Sequence, residues 1–491
     1  MTTHSSAQPS DSAPSPLFEL FTQQRQHYTQ HPLPTYQERV RQLKELKSAI
    51  LIYKQELVSA MSADFGYRSE HDSLIGDILP VVSQINYTLK KLKKWMKPSK
   101  RHAGLLLAPA SVRVEYQPKG VVGIIAPWNF PIMLSLSPLV TSLAAGNRTM
   151  IKVSEFTPET NKVLTMLLSS IFSNREVAII EGEVDIASEF SSLPFDHILF
   201  TGSTPVGKHV MRAAAENLTP VTLELGGKSP VIIGDDMPIE TAVERIIYGK
   251  CLNAGQICVS PDYILCPKEK IDDFISLYRA KFQTLYPDFS NNKDYSQIIN
   301  TRQAQRIDSV LQDALAKGAI VYSADTNNEA STQLSSENKT VLNTDSKKWP
   351  TQIIANVSNT MRVMQEEIFG PLLPIVPYQS LEEAIEFVKS NPRPLALYLM
   401  SYDEAIQRQV LEQTHSGGVC INETVFHVAA EDAPFGGIGQ SGIGHYHGTE
   451  GFRTLSHAKT ILQRGTFNTG KLIHPPYGNL VQKMILKFFL R

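Results

Sequence analysis

A carboxyl and a thiol frame the stretch from Thr222 to Cys258, and together they could carry covalent carbonyl chemistry. Glu224 stands in Thr222-Leu223-Glu224-Leu225-Gly226-Gly227-Lys228, at the end of a short β-type run and before a Gly-Gly turn. Its apolar neighbours should partly strip water from the carboxyl and raise its pKa, the setting of a general base. Cys258 follows Asn253-Ala254-Gly255-Gln256-Ile257, a small, flexible turn expected to present the thiol at a helix start. There the N-terminal dipole favours thiolate, the setting of a nucleophile. Each residue alone also has an ordinary reading: a free Cys as a small buried apolar residue, and a Glu before Gly-Gly as a solvated strand end.

Three further groups have the chemistry of binding. Asn129, in Pro127-Trp128-Asn129-Phe130-Pro131, offers an amide able to donate to an oxyanion, or only to stabilise its own turn. Phe200-Thr201-Gly202-Ser203-Thr204-Pro205-Val206-Gly207 is expected to follow a strand and open a helix. Backbone N–H groups near Gly202 and the Ser203 hydroxyl could then face a phosphate, although the Gly-x-Gly-x-x-Gly fingerprint is missing and an ordinary capped helix fits as well. Lys152-Val153-Ser154-Glu155 adds a cation and a carboxylate able to hold ribose hydroxyls, or a solvated strand end.

These groups need a scaffold, and the hydrophobic pattern supplies one. Helical periodicity runs over residues 36–63 through Val40, Leu43, Leu46, Ile50 and Tyr53, and again over 73–95. The second run ends in a basic cluster, Lys90, Lys91, Lys93, Lys94, Lys97, Lys100 and Arg101, read as a solvated helix end or a contact for an anionic surface. Residues 121–145 carry almost no charge and are long enough to suggest a membrane span, but Pro127, Pro131 and Pro138 argue instead for a buried strand over 121–126, a turn, and a buried helix over 133–145. Strand-like runs at 148–153, 177–181, 197–201 and 220–224, separated by helical stretches such as 158–173, predict an α/β, doubly wound parallel sheet. After Gly226-Gly227 the pattern restarts at 230–233, with strands expected at 263–266, 320–322, 373–378, 395–401 and 418–422, so a second α/β domain follows. Residues 323–348, rich in Asn, Ser and Thr, read as a surface insertion.

Composition bounds the rest. The chain has 491 residues, room for two or three domains. Its formal net charge of -1 gives no global attraction to nucleic acid. Cys251, Cys258, Cys266 and Cys420 lack metal-ligand and disulfide-framework spacing, which points to no metal and to a reducing, cytoplasmic compartment. Residues 1–16, rich in Ser, Thr, Gln and Pro, read as a disordered tail rather than a signal peptide. At the other end Lys483, Lys487 and Arg491 recur every fourth residue among Leu480, Val481, Met484, Ile485, Phe488 and Phe489. They predict an amphipathic helix too short to span a bilayer, packing on its own subunit or a dimer partner, or lying on an anionic membrane.

Pro127-Trp128-Asn129, Phe200-Thr201-Gly202-Ser203, Leu223-Glu224-Leu225-Gly226-Gly227-Lys228, Gly255-Gln256-Ile257-Cys258, Glu366-Glu367-Ile368-Phe369-Gly370-Pro371 and Pro434-Phe435-Gly436-Gly437 resemble, in order, the motifs of the aldehyde dehydrogenase superfamily. The resemblance spans residues 41–462. Gly439-Gln440-Ser441-Gly442-Ile443-Gly444-His445-Tyr446-His447-Gly448 is similar to the class 3-like branch that includes coniferyl aldehyde dehydrogenases. Val153 departs from the pattern, since the family usually has Pro after the lysine. The resemblance implies a nucleotide-binding domain over 17–222, with an oligomerisation strand within 99–117, and a catalytic domain over 223–436. A return segment over 437–491 would complete the small oligomerisation element of a homodimer. It also implies roles: Cys258 as nucleophile, Glu224 as general base, Asn129 as oxyanion donor, Lys152 and Glu155 at the adenosine ribose, Gly202 and Ser203 at the pyrophosphate, and Glu367 with Phe369 at the nicotinamide ribose.

So read, the protein is expected to oxidise an aldehyde, aromatic or otherwise hydrophobic, to the carboxylic acid with NAD, the Glu155 carboxylate repelling the 2′-phosphate of NADP, although relatives in this branch accept both. Oxidation of long-chain aliphatic aldehydes, a cysteine hydrolase and a non-catalytic protein of the same fold are the rivals.

Overall fold

The computed structural model describes residues 14–326, 333–334 and 346–490. The expected disordered tail lies mostly outside these residues, but its boundary moves. Ser15 caps a helix, Pro16–Gln30, accepting from the Phe18 N–H, with Pro16 at the first helical position where its missing donor costs nothing. Leu17, Phe21 and Gln24 form its buried stripe. Phe21 meets Phe195 edge to face at 5.4 Å, and the Gln24 amide donates to the carbonyls of Thr149 and Asn174. Much of the expected 323–348 insertion also lies outside the described residues.

The helical preface begins at a capping box, Thr35 with Glu38, and runs over Tyr36–Ile52. Tyr53 leaves the helical range at ψ 7°, so the single run read from sequence is two helices, the second being Lys54–Phe65. The next run is likewise broken: Glu70–Ser73, a π-helical turn Leu74–Ile78, then Leu79–Trp95. That wider turn contains Asp77, a buried carboxylate.

Val121–Ile125, Arg148–Lys152, Val177–Ile180, His197–Gly202 and Val221–Leu225 build a parallel sheet, with Val121–Ile125 between Arg148–Lys152 and His197–Gly202. Helices pack on it, Pro131–Ala145 among them with Pro138 inside. Among the described residues no helix is long and apolar enough to cross a membrane. A short return strand, Gly442–Ile443, pairs antiparallel with Val221–Leu225 and closes that edge.

The chain passes to the second sheet between Leu225 and Pro230. Pro230–Ile233, Tyr263–Pro267, Leu372–Tyr378, Ala396–Met400 and Gly418–Ile421 are its parallel strands. Gln352–Ala355, a four-residue strand that its short run did not reveal, joins Leu372–Tyr378 in parallel and Ile320–Ser323 in antiparallel register. A third, antiparallel sheet takes Ser99–Arg101, Ser111–Pro118 and Ser456–Gln463 in that order, leaving Ser456–Gln463 as an exposed edge. The molecule is thus an α/β protein with two mainly parallel sheets and a small antiparallel one.

Candidate active site

Open parallel sheets bind ligands outside the carboxyl ends of their strands, and the candidate side chains gather there. Asn129 lies in the turn after Val121–Ile125 and is buried, its amide nitrogen donating 3.0 Å to the Gln256 carbonyl. Glu224 lies on Val221–Leu225, paired with Thr201 on one side and Gly442 on the other.

Cys258 is not at a helix start. The helix Ile239–Cys251 ends in a tight turn, Leu252–Gly255, in which Asn253 and Ala254 take left-handed φ values of 49° and 53°. Gly255 continues at φ 74°, where a Cβ would stand 2.6 Å from the Gly370 carbonyl oxygen, so only glycine fits. Cys258 follows in a turn closed by the Ser260 N–H on the Ile257 carbonyl. The dipole expected to favour its thiolate is therefore missing.

Cys258, Glu224, Asn129, Gly202, Ser203, Glu367 and Phe369 line one cavity of about 1020 Å³. Lys152 and Glu155 do not line it. Lys152 is buried at the same sheet edge with its ammonium on the Val153 carbonyl at 2.7 Å, while Glu155 is exposed beyond it. Val153 donates its N–H to Ile180 at 3.1 Å, a ladder bond that the usual Pro could not make.

Burial sets the electrostatics. It pushes Glu224 well above the usual carboxylate range, and neither carboxyl oxygen has a hydrogen-bond partner among the described residues. The desolvation expected of this carboxyl is complete rather than partial. Glu367 is raised to about 8, by burial first and then by Asp262, against the Gly227 N–H that it accepts. A Cβ at Gly226 would fall 2.1 Å from Glu367 Oε2, so a larger residue there would displace that carboxylate. The Cys258 thiol is pushed up to about 12 by burial and then by Glu367 and Glu224, against the N–H groups of Cys258 and Val259.

Several residues of the site carried no sequence signal of their role. Lys228 pairs with Asp262 and donates to the Val363 carbonyl at 2.7 Å, while Asp262 accepts the Ile368 N–H at 2.9 Å. Arg306, on the helix Thr301–Ala316, donates to the Ile368 carbonyl at 2.6 Å. These contacts fix the loop that carries Glu367 and Phe369. Tyr446, buried with a hydroxyl that has no partner among the described residues, is raised by burial and then by the charges of Glu224 and Cys258.

The cavity also suits a dinucleotide. Ser203 occupies the cap position of the helix Thr204–Ala215, yet among the described residues its hydroxyl makes no cap bond, which leaves it available to an anion. Glu367 presents a buried oxygen without a partner among the described residues, as a ribose hydroxyl requires. Trp128 and Phe369 meet edge to face at 5.3 Å on the cavity wall. Among the described residues no cluster of three His, Cys, Asp or Glu could hold a metal ion.

Residues 21–461 match the aldehyde dehydrogenase family. The chain is 51% identical to the probable coniferyl aldehyde dehydrogenase of Pseudomonas aeruginosa over 97% of its own length and 96% of that protein's. Substrate-bound Staphylococcus aureus AldH superposes with a TM-score of 0.90 at 35% identity, covering 97% of this chain and 100% of that one. A Mycobacterium tuberculosis aldehyde dehydrogenase complexed with NAD+ gives 0.79 at 26% identity, covering 91% and 90%.

Proposed function

The chain belongs to the aldehyde dehydrogenase family, and on that premise we propose how its cavity performs NAD(P)-dependent oxidation of an aldehyde to the carboxylic acid. The observation that carries the reading is that Cys258, Glu224 and Asn129, drawn from three distant stretches, share one cavity with Ser203 and Glu367.

The Cys258 thiolate adds to the aldehyde carbon. The Asn129 amide spends one hydrogen on Gln256 and keeps a second for the developing oxyanion, joined by the Cys258 backbone N–H. Each such donor is worth roughly 3 kcal/mol in the transition state. Gly202, Ser203, Glu367 and Phe369 would hold the nicotinamide dinucleotide, with Lys152 and Glu155 toward its adenosine ribose, and it would take the hydride that leaves the former aldehyde carbon as the oxyanion collapses to the thioester. The thioester left on Cys258 is attacked by a water from which Glu224 takes the proton. The acid leaves and the thiol is restored.

NAD is the preferred form, because the exposed Glu155 carboxylate repels a 2′-phosphate at the end of its strand. The substrate is an aromatic aldehyde of the coniferyl type. Phe435 stacks on His447 with ring centroids 5.3 Å apart and Tyr446 meets His447 edge to face at 4.4 Å, in the apolar cluster against which Cys258 packs, and the name of the Pseudomonas aeruginosa relative points the same way. Kinetics with coniferyl aldehyde, benzaldehyde and decanal, each with NAD and with NADP, test this. A kcat/KM for coniferyl aldehyde at least roughly tenfold above that for decanal is expected, the scale on which pocket shape discriminates; the reverse order would establish the aliphatic alternative.

A homodimer is supported by the exposed edge of Ser456–Gln463, and a cytoplasmic location by four free cysteines. The nucleotide-binding, catalytic and oligomerisation divisions at 17–222, 223–436 and 437–491 remain our proposed domain scheme. The C-terminal helix Leu480–Phe489 buries only Gln482 on its own subunit, through bonds to His474 and Gly478, while Leu480, Met484 and Phe488 stay exposed at 75%, 56% and 63%. Its own subunit does not cover that face. The dimer partner is the proposed cover, and an anionic membrane facing Lys483 and Lys487 is the alternative.

A further inference from the structure

Behind the turn that carries Asn129 lies a guanidinium with no solvent exposure. Arg68 Nη1 donates 2.9 Å to the Asn129 backbone carbonyl, and Nη2 lies 2.8 Å from Asp77 Oδ2, whose side chain is equally buried. The rings of Phe65 and Phe130 flank the cation, each centroid 4.9 Å away. A buried ion pair is seldom more stabilising than apolar side chains of the same volume, so stability alone does not account for it.

What the pair holds is specific. Asp77 Oδ1 accepts the N–H groups of Ile132 at 3.0 Å and Met133 at 2.8 Å, serving the first turn of Pro131–Ala145, which has no side-chain cap of its own. Asp72, one turn earlier, accepts the Asn253 N–H at 3.0 Å, and the Asn253 amide donates 3.0 Å to the same Asn129 carbonyl that Arg68 holds. The Asn129 amide in turn reaches the Gln256 carbonyl. The turn bearing Asn129 and the turn leading to Cys258 are thus tied to each other and to one short segment of the N-terminal helical preface.

We propose that Arg68, braced by Asp77, is a positioning residue for the oxyanion donor: it fixes the Asn129 backbone so that the side-chain amide stays over the cavity beside Cys258. The inference rests on Asn129 being that donor. A guanidinium is needed because its planar fork reaches a carboxylate and a carbonyl at once, which a single ammonium on a flexible stem does not reproduce.

The test is a double-mutant cycle of Arg68→Lys with Asn129→Ala. It reads the acylation rate with p-nitrophenyl acetate and the NADH burst with benzaldehyde, with NAD affinity measured alongside. Arg68→Lys is expected to slow acylation about 100-fold, the cost of an ångström-scale misplacement, with NAD affinity unchanged. In the Asn129→Ala background it should slow acylation by less than about twofold, because the group it positions is gone. Equal factors in both backgrounds, or an unchanged rate, would overturn the proposal. If Arg68→Lys does not fold, Asp77→Asn enters the same cycle with the same criteria. Slow Asn129→Ala with normal Arg68→Lys refutes the positioning role alone. Normal Asn129→Ala with slow Arg68→Lys refutes the oxyanion reading and this inference together.

Discussion

The raised thiol of Cys258 can be measured before any substrate is found. Moving its pKa from 9.0 to about 12 lowers the thiolate fraction about 1000-fold at any pH well below both values. At pH 8 roughly one site in 10,000 of the cofactor-free enzyme would be thiolate, against roughly one in ten for a free thiol. Iodoacetamide alkylation of Cys258, followed by peptide mass spectrometry so that Cys251, Cys266 and Cys420 do not interfere, should be correspondingly slow. It should rise about tenfold per pH unit across the range the fold survives. Burial is the largest cause and the Glu367 charge the second, so Glu367→Gln should speed alkylation, but by less than the full 1000-fold. A rate that levels off below pH 8 would mean that the turn's N–H groups stabilise the anion after all. Complete recovery in Glu367→Gln would mean that carboxylate repulsion, rather than burial, sets the thiol. Either result refutes the reasoning.

Glu224→Gln should keep a burst of about one NADH per active site while steady turnover falls by about 100-fold or more, since only thioester hydrolysis needs the base; equal loss of burst and turnover would assign Glu224 to activating Cys258 instead. Glu155→Gln should shift the ratio of kcat/KM for NAD over NADP toward NADP by about tenfold, the scale of one screened charge. An unchanged ratio would show that the Lys152–Glu155 stretch, outside the cavity lining and carrying the unusual Val153, does not reach the ribose. Truncation after Gly478 should convert the proposed dimer to monomer in light scattering. A dimer that persists, with sedimentation on anionic vesicles lost on truncation, would assign the exposed helix to a membrane.

What the sequence displayed follows from the range over which each signal acts. The strands of the first sheet were legible because buried parallel strands are continuous apolar runs, punctuated here by Pro and Gly. Glu224 stood out because a carboxyl among apolar neighbours is chemically conspicuous. The helix Pro16–Gln30 was hidden because its buried stripe uses Gln24 and its start lies in a Ser- and Pro-rich stretch. Nothing in Asn253-Ala254 announces the left-handed backbone that replaces a helix start before Cys258; it goes with the Asn253 N–H bond to Asp72 and the close approach of the Gly370 carbonyl to Gly255. Arg68, Asp77, Asp262 and Arg306 were invisible for a plainer reason: each is an ordinary charge until folding brings it to a carbonyl or carboxylate far away in the chain.

The same burial that raises Cys258 also raises Glu224 and Glu367, and on the roles proposed for Cys258, Glu224 and Asn129 it gives the cavity an order of events. Negative charge on Glu367 or Glu224 raises the Cys258 thiol beyond what burial does, so thiolate and carboxylates resist ionising together. By the same coupling an anionic Cys258 disfavours charge on Glu224, so the base is least available to water while the nucleophile is still free. Addition moves the charge to the carbonyl oxygen, where the Asn129 amide meets it. Thioester formation then leaves sulfur uncharged. With no anion on sulfur, the obstacle to ionising Glu224 is reduced to burial alone, and general-base attack by water becomes accessible only after acylation. The alkylation profile reports the first half of this order and the Glu224→Gln burst the second, so the two measurements together separate a cavity that sequences its charges from one that merely buries them.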